Sequence, residues 1–490
     1  MFDVNPSAFH VPLRFASALA VAATLAACAS LDHAPLTTSQ IDASTLGAKP
    51  VTVEWPSEDW WRRYDDPQLD ALIADGIKDS PTLAAARARI AHAQAAASAA
   101  RAPLLPEISG NATSLYQRYS ESYIYPPPLG GSWNTDNRLT LDFNYEFDFW
   151  NKNRAALEAA LSQAQAAAAD EQAARLVLTT NIARTYFDLQ RLFAQRDVSL
   201  AAITQREEVV RLTAQRFAAG LDTKVEAKQA DAALGTVRTE LAQYDEAISV
   251  ARIQIAALVG AGPQRGDALV AVNGTHAAPT VLPAVVPLDL VGRRPEIVAT
   301  RWRVEAAQHD IEVARAEFYP TVNLVAFVGL SSLGFANLFA AGSTIAGVGP
   351  AIHLPIFEGG RLNANLRGRE ADSALAVSAY NEAVIDAVRD VAQALASING
   401  LVRTSAEQAR AREATTDAYN LAVVRYKAGL GNYLTVLTAQ TQQLVQDRLD
   451  ADLRARALEL DVNLARALGG GYAEDSNVNL SAAPGAAGAR

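Results

Sequence analysis

One thiol stands in the whole 490-residue chain, Cys28, and it is the side chain best placed for a covalent step. It follows Leu25-Ala26-Ala27, which close the apolar run FASALAVAATLAA (15–27) behind Arg14. A charge, an apolar core and small residues in that order make a cleaved export signal. Leu-Ala-Ala-Cys has the spacing of a bacterial lipobox, in which the peptide is cut before the cysteine and the thiol takes a diacylglycerol. The alternative is a chance cysteine in an ordinary signal peptide, and the n-region MFDVNPSAFHVPLR is only weakly basic because Asp3 offsets Arg14. One cysteine excludes a disulfide within the chain. Little else points to bond chemistry. His10, His33, His92, His276, His309 and His353 are scattered without metal-ligand spacing. Gly260-Ala261-Gly262-Pro263 is no phosphate loop, since Pro263 blocks the helix start. No nucleophile elbow occurs. Apart from the diacylglycerol and acyl chain on Cys28, no cofactor and no metal is expected, and no enzyme reading finds residues to carry it.

Those residues must be positioned by elements that suit a membrane or exclude one. Net charge is −10 and no basic patch stands out, so nucleic acid is not an expected partner. After residue 30 no window holds the 18 or more continuous apolar residues of a membrane helix. A strand is different. From Arg138 to Phe149, Leu139, Leu141, Phe143, Tyr145, Phe147 and Phe149 alternate with Arg138, Thr140, Asp142, Asn144, Glu146 and Asp148. Period two gives a strand one apolar and one wet face. The length fits a tilted membrane strand of about 9–11 residues. Taken alone, the window fits a half-buried sandwich strand equally well.

The chain divides as a signal peptide (1–27), a lipidated linker (28–57), a first repeat (58–262), a connector (263–294), a second repeat (295–472) and a disordered tail (473–490). In the first repeat, Asp66 or Asp65 caps a short helix with Pro67 in its first turn. A second helix starts at Pro81 and stops near Pro103. Strands over about 108–119 and 137–149 flank an exposed loop, YIYPPPLGGSWNT (123–135). The pattern then turns helical from Asn153 to about Ala219 without Pro or Gly, roughly 100 Å at 1.5 Å per residue. Ile182, Leu189, Ile203, Val210 and Phe217 form one row of its seam; Tyr186, Phe193 and Leu200 form the other, with Arg196 and Glu207 interrupting. Gly220 breaks the helix, and a partner runs from about Asp222 to Val259.

The second half repeats this order. PEIVATRWRVEAAQHDIEVARAEFYPTV, from Pro295, aligns without gaps on the segment from Pro81 at an offset of 214. Phe357 falls on Phe149 at 208, and Arg425-Tyr426-Lys427-Ala428-Gly429-Leu430 on Arg216-Phe217-Ala218-Ala219-Gly220-Leu221 at 209. Strands are expected over about 321–331 and 345–357, then a helix over 361–428 and its partner over 433–468. The unit is helix–strand–strand–long helix–helix, duplicated. Four strands per chain follow. Backbone in lipid must be fully paired, which a closed barrel alone achieves, and four strands cannot close one when barrels begin at about eight. If these strands meet lipid, several copies must therefore contribute, with the short helices stacked along the long ones in a tube; a soluble four-stranded sheet on a helical stalk leaves the lipidation signal and the aromatic face unexplained. A cell-surface coiled-coil stalk shares the long helices but not the strand pairs.

In order and duplicated, the lipobox, LDFNYEFDFWNKNRA, the two RxxAGL turns and NYLTVLTAQ (432–440) resemble the TolC-like outer membrane efflux proteins, and within them the OprM- and NodT-like lipoproteins. The resemblance spans nearly the whole mature chain. It implies a homotrimer with a twelve-stranded membrane β-barrel and a long periplasmic α-helical barrel as conduit. It implies a passive exit duct for drugs or other small molecules, with a periplasmic adaptor and an inner-membrane pump of the resistance–nodulation–division type as partners. A type I protein secretion outlet of the same fold is the alternative. Ala29 after Cys28, rather than Asp, implies the outer membrane of a Gram-negative cell. The resemblance places adaptor docking and mouth closure at Arg216, Gly220, Leu221, Arg425, Tyr426, Gly429 and Leu430. Acidic residues often close the mouth beyond the second glycine; Gly431, Thr435 and Thr438 stand there instead. Asp222 remains as gate candidate, or else as a helix N-cap. Leu139, Leu141, Phe143, Tyr145, Phe147 and Phe149 are expected to face lipid, with Phe147, Phe149 and Trp150 as an aromatic belt.

Overall fold

The computed structural model describes residues 38–48, 55–122, 124–272, 287 and 289–474. The export segment with Cys28, the middle of the connector and residues 475–490 lie outside them. Four antiparallel strands form one sheet in chain order: β1 Glu107–Arg118, β2 Trp133–Phe147, β3 Thr321–Leu333 and β4 Thr344–His353. The β2–β3 pairing joins the two halves, and β1 and β4 are open edges.

Register makes the faces. Ile108, Phe143, Ala326 and Val348 pair in one row; Gly110, Leu141, Val328 and Ala346 in the next; Ala112, Leu139 and Leu330 in a third. Cross-strand partners share a face, so one side of the sheet is a continuous apolar surface. Among the described residues nothing packs on it: Leu141 is 57% exposed and Val348 76%. The other side carries Asn111, Arg138, Thr140 and Asp142, where Asn111 Nδ2 and Thr140 Oγ1 each donate to Asp142 Oδ2 at 2.8 Å. Gly329 belongs to the ladder by necessity, since a Cβ there would meet the Leu139 carbonyl oxygen at 2.1 Å.

Two strands end earlier than their alternation. Phe149 lies beyond β2, in a turn, and Leu354, Ile356 and Phe357 lie beyond β4. The reason is the partner: β3 begins at Thr321, opposite Asp148 on one side and His353 on the other, so its ladder has run out by Phe149 and by Leu354. Asp148 then serves the next helix, accepting from Asn153 N at 3.1 Å and Arg154 N at 2.8 Å. Phe149 keeps an aromatic role, stacked on Phe147 at 5.7 Å, and Trp150 stacks on Tyr319 at 4.5 Å.

Helices α1 Pro67–Asp79, α2 Pro81–Arg101, α3 Lys152–Ala218 and α4 Lys224–Leu258 belong to the first half, and α5 Pro295–Ala316, α6 Arg361–Lys427 and α7 Tyr433–Ala467 to the second. The duplication shows in the lengths: α3 and α6 both have 67 residues, α4 and α7 both have 35. As expected of short helices stacked along the long ones, α2 and α4 lie along α3, and α5 and α7 along α6; α5 and α7 also pack on α3. Asp66 caps α1, accepting from Gln68 N and Leu69 N. Its second oxygen takes the Tyr186 hydroxyl at 2.7 Å, which ties the Trp60–Tyr64 turn and α1 to the middle of α3. There Trp60, Tyr64, Leu72, Ile182, Phe187, Leu189 and Ile255 form the largest core. The linker is partly built in: Ala43 and Ala48 pack on Val377, Tyr380 and Val384, and Ile41 N donates to Asn381 Oδ1 at 2.8 Å.

The seam of α3 weakens downward. Ile182, Tyr186 and Leu189 are fully buried, while Leu200 and Phe217 are exposed. Arg196 and Glu207, which break it, pair with Asp245 and Arg238 of α4. Among the described residues no helix is long and apolar enough to cross a membrane.

Candidate functional site

The two hairpins at the far end from the sheet build the site. In the first, α3 ends with Leu221 N donating to Arg216 O at 2.9 Å; in the second, α6 ends with Leu430 N donating to Arg425 O at 2.8 Å. Gly220 and Gly429 take φ of +69° and +73°, the left-handed stop that glycine tolerates best. Thr223 starts α4 in a capping box, accepting from Val225 N while Glu226 accepts from Thr223 N. At the equivalent place in the second half, Asn432 caps α7 and accepts from Thr435 N at 3.0 Å. Asp222 is therefore not the cap.

Asp222 instead joins the hairpins. Arg216 Nε donates to its Oδ2 at 2.9 Å and Arg216 Nη2 to its Oδ1 at 3.2 Å, a bidentate pair. The Tyr426 hydroxyl, from the other hairpin, donates to the same Oδ2. Arg216 Nη1 reaches the Tyr426 carbonyl at 3.2 Å, and its guanidinium lies 4.6 Å from the Tyr426 ring centre. Beneath sit Val209, Ala230, Tyr419, Tyr433 and Val436. Burial alone would push the Asp222 carboxyl up, but the hydrogen bonds from Arg216 and Tyr426 and the Arg216 charge outweigh it, so it lies below its ordinary value. Burial, and then Asp222, push the Tyr426 hydroxyl up, which keeps it a donor. The Asp222 hydrogen bond holds Arg216 above its ordinary value.

The repeat makes the link one-sided. Asp222 corresponds to Gly431, and Tyr426 to Phe217. So Arg216, Asp222 and Tyr426 come together, while Arg425, Leu221 and Leu430 stay exposed at the extremity, the leucines at 65% and 72%. Thr435 is occupied at the cap, also donating its hydroxyl to Asn432. A pairing between Asp222 and Tyr426 was not legible in the sequence; the one signal was that each residue is unmatched in the opposite repeat. At the other end, Leu139, Leu141, Phe143, Tyr145 and Phe147 share the apolar face as expected, and Phe149 does not.

A sheet with one apolar and one polar face, open at both edges and running directly into about 100 Å of helix with linked tips, defines a subunit of a membrane-embedded helical duct. The profile of the outer membrane efflux protein family matches residues 72–261 and 286–470, once in each half, and the chain belongs to that family. It is similar to the fusaric acid resistance protein FusA of Burkholderia cepacia, 39% identical over 72% of this chain and 68% of that protein. It is 32% identical to the multidrug resistance outer membrane protein MdtP of Escherichia coli K12, over 85% of this chain and 87% of the relative. Among solved structures, the outer membrane protein VceC of Vibrio cholerae superposes with a TM-score of 0.80 at 38% identity, covering 85% of this chain and 99% of that one. The protein is an outer membrane efflux duct.

Proposed function

We propose that three copies close a twelve-stranded barrel in the outer membrane and a helical conduit below it, through which drugs and other small molecules leave passively. The observation that carries this is the unfinished surface of one chain. Among the described residues, strands β1 and β4 have no outer partner, and α6 leaves Leu375, Ile385, Val402, Leu421 and Val424 each at least 45% exposed. A second copy satisfies both at once. Cargo reaches the duct from an inner-membrane pump, of the resistance–nodulation–division type by the family resemblance, through an adaptor seated on the tips around Leu221, Arg425 and Leu430. The Arg216–Asp222–Tyr426 link holds the mouth narrow until the adaptor engages. Lipid on Cys28 anchors the chain in the outer membrane. The names of FusA and MdtP support small-molecule cargo over secreted protein.

Deleting the gene and profiling the cells tests this. Increased sensitivity to several antibiotics or dyes, restored by the intact gene, is expected. Unchanged sensitivity together with loss of a secreted protein would favour the secretion outlet. Purification under mild cross-linking identifies the adaptor and the class of pump.

A further inference from the structure

The buried stripe of α3 changes character below Leu192. Above, it is Ile182, Tyr186 and Leu189; below, Gln195, Ser199, Arg206 and Thr213 are buried alongside Ala202 and Val209, so polar side chains join the stripe. Gln195 Nε2 is satisfied by Arg448 O and Asp452 Oδ1, both at 2.9 Å. Arg206 has no such support. It is 7% exposed, its Nε has no acceptor, and among the described residues it makes no hydrogen bond or ion pair.

Arg206 borders a cavity of about 300 Å³ between α3, α6 and α7, within one chain. Gln440 of α7 lines the same cavity at 3% exposure, and its Nε2 also lacks an acceptor. The carboxylates nearby are committed or remote. Asp447 lines the cavity but is held by Arg412 Nε at 2.7 Å, Asp197 lines its exposed rim, and Glu240, whose charge also favours the Arg206 cation, is paired with Arg448. A buried guanidinium nitrogen without an acceptor is unfavourable. Arginine does not escape by losing its proton; burial pushes Arg206 down from a value so high that it stays charged.

We propose that this cavity binds a small oxyanion, a carboxylate or a phosphate, whose oxygens accept from the Arg206 guanidinium and the Gln440 amide. The volume is at the lower end for small-molecule sites, which suits a compact organic acid or an inorganic anion rather than a peptide. Bound there, the anion bridges α3 to α7 above the linked tips and stiffens the lower conduit. The site is separate from the duct's mouth and does not depend on the tip link.

The test uses the full-length protein purified in detergent in its native assembly. Thermal unfolding and calorimetry are followed with sodium phosphate and with sodium benzoate, against sodium chloride at equal ionic strength. A saturable rise in Tm with either oxyanion over chloride is expected, with binding weakened at least tenfold in Arg206→Gln, since a charge-assisted contact is lost. Gln440→Leu, which keeps the guanidinium, weakens binding less and keeps the test valid should Arg206→Gln misfold. Absence of a saturable rise, or an equal rise in both variants, overturns the proposal. A neighbouring copy that supplies its own carboxylate to Arg206 would show as no binding and overturn it too.

Discussion

Asp222 takes donors from two hairpins, so removing either contact frees one from the other. Asp222→Asn and Tyr426→Phe each delete a charge-assisted hydrogen bond worth about 1.5–3 kcal/mol. Both variants are expected to show higher single-channel conductance in planar bilayers, whereas Arg425→Ala, which lies outside the link, leaves conductance unchanged and weakens adaptor binding. The pH dependence follows from the depressed Asp222 carboxyl. Its contribution is complete above its ordinary value of 3.8 and is lost as pH falls below that through the folded value. Conductance should be flat from pH 5 to 8 and rise only in stronger acid. At Cys28, Cys28→Ser should abolish palmitate labelling of the mature chain. Much of this scale was legible: Arg216, Gly220, Tyr426 and Gly429 stand out through the repeat. The contact of Asp222 with Tyr426 was not, because it spans 204 positions and depends on how two hairpins pack. Arg206 was invisible for the same reason, as nothing in an isolated helix shows which face meets α7.

The elements were more legible than their ends. Period 3.6 placed every long helix and period two the strands after β1, whose own alternation over Glu107–Arg118 is poor, and equal lengths in the halves made each a check on the other. The strands ran over at Phe149 and Phe357 because alternation reports a residue's own preference, while a ladder also needs a partner. Two tests belong to this scale. Gly220 and Gly429 have open space around them and a left-handed backbone, so Gly→Ala costs about 1–2 kcal/mol through backbone alone, and Gly→Asn costs less; faster amide exchange confined to that hairpin would show it. Gly329→Ala drives a methyl into the Leu139 carbonyl and should prevent the heat-modifiable oligomer from forming, while Gly349→Ala, with nothing near its Cβ, should not.

As a whole molecule, one chain is an incomplete object. Its sheet is apolar outside and polar inside but open at β1 and β4, and its edge helix α6 leaves an apolar row bare. Lipid tolerates no unpaired ladder edge, so the chain can sit in a membrane only as part of a ring, and the polar face of Asn111, Arg138, Thr140 and Asp142 then lines the pore. The number of copies tests this account most directly. Native mass spectrometry of the protein released from detergent micelles should give three chains, stable until heated. A monomer or a dimer as the membrane-extracted form would contradict the closed barrel, and with it the duct.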